Sequence, residues 1–162
     1  MTQQQTPATT APMEPSATDG QAHELTVIVP LKPGGAERTR EVLKQRTSEQ
    51  ARVRRDAMGT LHDMRVVIFD NDTRLLFATV FDGTWDSYID DFASKMPDQL
   101  DALFAEMDGY PGIHDPNVKD YIRQYQITAD EFYCAYPNAT VTEIRKGQRV
   151  LKAWEELLDT AD

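Results

Sequence analysis

The sequence predicts one α+β domain behind a long N-terminal tail, centred on two antiparallel strands at about 61–70 and 73–82. Three observations lead there. Leu61–Phe69 (LHDMRVVIF) and Arg74–Phe81 (RLLFATVF) are β-branched and aromatic runs joined by Asp70-Asn71-Asp72. Short Asp and Asn side chains tolerate positive φ and bond to their own backbone, so this is a β-hairpin. Stretches of helical period flank the hairpin on both sides. Residues 1–22 hold three prolines, five threonines and no Lys or Arg. Such a segment buries too little to offset its ordering entropy, and it is expected to be a disordered tail ahead of a single domain at 23–162.

In chain order, Glu24–Leu31 is a short strand ended by the turn Lys32-Pro33-Gly34-Gly35. Ala36 to about Arg55 is expected to be one long helix with a thin apolar stripe of Val42, Leu43 and Val53. The hairpin follows. On its first strand Met64, Val66 and Ile68 share one face, and Leu61, Val67 and Phe69 the other. On the second, Leu75, Phe77 and Phe81 oppose Leu76, Ala78 and Val80. A sheet wetted on one side alternates apolar and polar residues. Both faces here are apolar, so both need a cover.

Asp82-Gly83-Thr84 opens a helix through Trp85, Tyr88, Ile89 and Phe92. Pro97 starts another, with Leu100, Leu103, Phe104 and Met107 as its stripe. Gly109-Tyr110-Pro111-Gly112 stops it, and Asp115-Pro116 is expected to cap a helix containing Val118, Tyr121, Ile122 and Tyr125. Glu131–Tyr136 (EFYCAY) is expected to form the last strand. Thr140-x-x-Glu143 is a capping box for a final helix whose buried face would be Ile144, Leu151, Trp154 and Leu158.

Composition excludes several classes. A net charge of −10 argues against nucleic acid or an anionic membrane as partner. No apolar run approaches the roughly 20 residues needed to cross a bilayer, and the tail lacks the apolar core of a secretory signal. The single cysteine, Cys134, forms no internal disulfide and is expected to be a buried thiol in a strand. A cytoplasmic location is the simplest expectation. Residues 32–65 carry nine Lys/Arg against five acids, and 82–108 carry eight acids against Lys95, which suggests adjacent helix faces of opposite sign.

The order βαββαβ, with extra helices after the second helix and at the C-terminus, is the ferredoxin-like plan of a four-stranded antiparallel sheet with helices on one face. The phrases Leu61-His62-x-x-Arg65-Val66-Val67-Ile68, Arg74-Leu75-Leu76-Phe77, Phe81-Asp82-Gly83 and Phe132-Tyr133-x-Ala135-Tyr136-Pro137 resemble uncharacterised bacterial members of the dimeric α/β-barrel superfamily. That resemblance implies a homodimer whose two sheets pack face to face. It also implies a choice among haem peroxidases, haem-degrading or cofactor-free monooxygenases and small ligand-binding or stress proteins. The Gly-x-x-Asp-Gly word of the haem peroxidases is incomplete, because Thr79 stands where the first Gly belongs.

Three residues carry the candidate chemistry. His62, on a strand face, would ligate haem or take a proton from a bound phenol; otherwise it is a strand-end histidine hydrogen-bonded to backbone. Arg65 would clamp a ligand carboxylate or haem propionate, or pair with an acid such as Asp63 or Asp82. His114, beside Asp115 in a loop after the helices, would be a haem ligand in the manner the resemblance implies, or part of a capping loop. His23 is expected at the solvent-exposed tail boundary. Asp90 and Asp91 point about 100° apart on a helix and do not share a metal ion. Tyr121, Tyr125, Tyr133, Tyr136, Trp85 and Trp154 are expected to be core.

Two functions follow as expectations. One is a homodimer binding haem or a planar aromatic molecule in an apolar pocket between sheet and helices, with His62, His114 and Arg65 as its polar groups, acting as a monooxygenase- or peroxidase-like oxidoreductase if it is an enzyme. The other is a non-enzymatic dimeric binding or accessory protein.

Overall fold

The computed structural model describes residues 21–160. The expected tail lies outside the described residues except at its last two, and Ala22 already belongs to the first strand. The elements run β1 (Ala22–Pro30), α1 (Gly35–Gln45), α2 (Glu49–Asp56), β2 (Leu61–Phe69), β3 (Arg74–Asp82), α3 (Trp85–Lys95), α4 (Pro97–Phe104), α5 (Val118–Tyr125), β4 (Gln126–Ile127) and α6 (Val141–Asp159). The four strands form one open antiparallel sheet in the order β2-β3-β1-β4.

The hairpin forms as its sequence predicts. Asp70, Asn71 and Asp72 all take positive φ, between 51° and 66°, and Arg74 pairs with Phe69. Thr73 closes the turn by donating from both its N–H and its hydroxyl to the Asp70 carbonyl.

One face of the sheet is the core. Leu25, Val27 and Val29 of β1 lie beside Leu75, Phe77 and Phe81 of β3, and Met64, Val66 and Ile68 of β2 pack at the margin. The helices close over them with Trp85, Tyr88, Ile89, Phe92, Leu100, Leu103 and Phe104. Phe81 stacks on Tyr88 at 3.9 Å, and Phe77 meets the edge of Phe104 at 5.0 Å. A bulge between Leu61 and Asp63 shifts the register of β2. Two residues there oppose one, so the alternation slips by one position. Leu61 therefore packs against the core, not with Val67 as strict alternation predicts.

Four other expectations are corrected. The long helix is two: Ser48 caps α2 by accepting from Ala51, and the chain turns at Arg46-Thr47-Ser48. Asp115 does not cap α5 directly; it accepts from Asn117, and the helix begins at Val118. Glu131–Tyr136 is not a strand. The sheet edge takes only Gln126 and Ile127, and the chain then leaves β1 and rejoins it where Ala22 donates to the Pro137 carbonyl. An aromatic-rich segment laid across a sheet has the same composition as a strand within it, and only distant pairing separates the two. Cys134 is accordingly half-buried outside any strand, and Tyr133 and Tyr136 are exposed.

The fourth correction concerns α6. Its capping box is present as expected, with Thr140 and Glu143 bonded reciprocally. Its apolar face is not buried: Ile144, Leu151, Trp154 and Leu158 are all exposed, and only Val141 is inside. No helix among the described residues is long and apolar enough to cross a membrane.

Candidate functional site

The second face of the sheet is incompletely covered. Glu24 and Thr26 of β1, Asp63, Arg65 and Val67 of β2, and Leu76, Ala78 and Val80 of β3 form its floor. The segment that leaves the sheet edge supplies Ala129, Glu131, Phe132 and Tyr133 as a partial wall. The cleft between them has a volume of about 830 Å³. Its floor is apolar where β3 runs, with Ala78 and Val80 buried, and Val67 is still 48% exposed. Glu24 anchors the wall: its carboxylate accepts from the Thr26 hydroxyl at 2.8 Å and from the Ala129 N–H at 3.2 Å.

Arg65 stands on this floor. Its side chain is 66% exposed and meets Asp63 at 3.6 Å, a loose pair in solvent.

His62 lies elsewhere. As the bulged residue it leaves the alternation of β2, and its Nε2 approaches the buried Asp82 Oδ1 at 2.6 Å. It borders a smaller polar cleft of about 220 Å³ with Arg55, Asp56, Asp63 and Arg145. The second oxygen of Asp82 accepts the N–H of Val141, the first residue of α6, at 2.8 Å. The sequence offered Asp82 as a helix-opening residue and as a possible partner of Arg65; its actual partners, His62 and Val141, are 20 and 59 positions away.

His114 is exposed in the loop before α5 and lines neither cleft. His23 is not at a solvent-exposed boundary. It sits in β1 opposite Phe81 with its ring 6.1 Å from that ring and Nε2 buried. Neither of these two clefts among the described residues brings His62, Arg65 and His114 together.

The space between sheet and helices is no alternative site. The room left among Leu25, Val27, Phe77, Phe92, Leu100 and Tyr121 is about 30 Å³, the scale of a water molecule. The acids on α3 serve ion pairs, Asp91 with Lys95 and Asp90 with Lys119. Among the described residues no group of three or more His, Cys, Asp or Glu is placed to hold a metal ion.

No family model matches the chain, and neither the curated proteins nor the solved structures offer a match.

Proposed function

We propose that this chain is a ligand-binding subunit that pairs with a second copy through the open face of its sheet, enclosing a planar aromatic molecule that carries an anionic group. The observation that carries the reading is the composition of that face: an apolar floor of Val67, Leu76, Ala78 and Val80 beside one guanidinium, Arg65, the single cation of the cleft among the carboxylates of Glu24, Asp63 and Glu131. Apolar clefts with a few convergent polar groups are the usual form of small-molecule sites, and a volume of about 830 Å³ lies in their ordinary range. The strand order β2-β3-β1-β4 supports the ferredoxin-like reading, and the incompletely covered sheet face supports pairing of the dimeric α/β-barrel kind.

Haem does not fit this site. None of the three histidines lines the cleft: His62 is held by Asp82, His23 faces Phe81, and His114 is on the exposed loop before α5.

A panel of aromatic carboxylates and phenols titrated against the full chain, followed by tyrosine fluorescence and calorimetry, tests the reading. Binding of a carboxylate should weaken at least tenfold in Arg65→Ala and vanish in Val67→Glu. Equal affinity in wild type and Arg65→Ala, or no binding by any member of the panel, would overturn it.

A further inference from the structure

The helix α6 leaves the body almost at once. Val141 is its only buried residue, and Arg145, held by the Asp56 carbonyl and carboxylate, is its last half-buried one. From Lys146 to Thr160 every residue is exposed. A helix in water on all sides should be polar all round. This one is not. Ile144, Val150, Leu151, Trp154, Leu157 and Leu158 fall on one side, and Leu151 and Trp154 are each 58% exposed.

Scaling these exposures by ordinary side-chain areas gives on the order of 600 Å² of apolar surface, close to the roughly 800 Å² per partner of a standard interface. The helix is about 28 Å long at 1.5 Å per residue, so the stripe extends over its whole projecting part. Gly147 lies within the stripe with nothing near its Cβ position, leaving room for a large side chain from outside.

The charges indicate what covers the stripe. At 100° per residue Lys146 borders the stripe near the body and Glu155 borders it near the tip, while Glu143 serves the cap, Arg145 is held by Asp56, and the remaining charges face away. Two copies side by side and antiparallel place the basic part of each against the acidic part of the other. A parallel pair sets like against like. We propose that α6 packs antiparallel against the α6 of a second copy, with its apolar stripe at the centre and this charge gradient setting the orientation. The contact uses a surface separate from the sheet face, and it does not rest on the ligand reading. With the sheet-face pairing it would form either one dimer with two contacts or a larger closed assembly.

Sedimentation equilibrium of the full chain tests this, with far-UV circular dichroism to confirm folding. Every substituted residue of α6 is exposed, so the fold should survive. Leu151→Glu with Trp154→Glu should weaken self-association at least tenfold. Glu155→Lys should also weaken it, and adding Lys146→Glu should restore it, because the gradient is then reversed on both helices. In a Cys134→Ser background, Leu151→Cys near the helix middle should cross-link to its own copy, and Thr142→Cys should not. Val67→Glu addresses the sheet face separately, so the two contacts fail independently. Unchanged association in the Leu151/Trp154 variant, cross-linking at Thr142→Cys, or a wild-type monomer that instead sediments with anionic vesicles would overturn the proposal.

Discussion

The carboxylate of Asp82 joins the strand residue His62, 2.6 Å from one oxygen, to the first turn of α6, whose Val141 N–H donates to the other at 2.8 Å. A carboxylate only accepts, so both neighbours donate, and the anion lies at the positive end of the helix. Asp82→Asn offers one acceptor to two donors and turns an amide N–H toward the other. We expect a loss of about 1–3 kcal/mol in urea denaturation and faster proteolysis near residues 137–145. Wild-type stability and proteolysis in that variant would show that Asp82 does not hold α6.

The two faces of the sheet should respond differently to truncation. Phe77 is buried against Phe92 and Phe104, and Phe77→Ala should cost about 3–5 kcal/mol. Val67 is on the open face, and Val67→Ala should change monomer stability by no more than about 0.5 kcal/mol. Chemical denaturation at low protein concentration separates the two, and equal costs would contradict the assignment of faces.

The hairpin turn holds three consecutive non-glycine residues at positive φ. A left-handed conformation costs an ordinary L-residue roughly 1–2 kcal/mol, and less for Asn and Asp. Asn71→Val should therefore destabilise by about 1–2 kcal/mol, while Asn71→Gly should be neutral or slightly stabilising. A neutral Asn71→Val in thermal denaturation would refute the turn geometry.

Alkaline pH should unfold the protein through its buried phenols. Burial pushes the ionisation of Tyr88, Tyr110 and Tyr121 well above the usual value of 10.0, and Asp101, which accepts from the Tyr110 hydroxyl at 2.7 Å, raises Tyr110 further. The native state keeps these protons where the unfolded chain has lost them. Their contribution is thus whole below about pH 10 and is lost as pH rises beyond it. Phenolate absorbance near 295 nm should include a component that appears together with loss of far-UV signal; full ionisation of all phenols before unfolding would contradict this.

The hairpin, the capped starts of α3 and α6, and the core stripes of α3 and α4 were readable because each depends on residues within a turn or two of one another. Asp70-Asn71-Asp72 carries its own turn chemistry, and Thr140 and Glu143 carry their own cap. The sequence alone also indicated, from Val67, Leu76, Ala78 and Val80, that the second sheet face was too apolar to be left to water. Tertiary structure decided the rest. Glu131–Tyr136 crosses the sheet and does not extend it, because pairing depends on what the edge of β1 offers and not on the segment's own propensity. The bulge at His62 turned that ring away from the cleft toward Asp82, 20 positions on. The apolar stripe of α6 marks a helix that needs a partner surface, but periodicity does not say where that surface is. In the folded chain it is absent from the body, since burial is a relation between distant residues and amphipathicity records only one side of it.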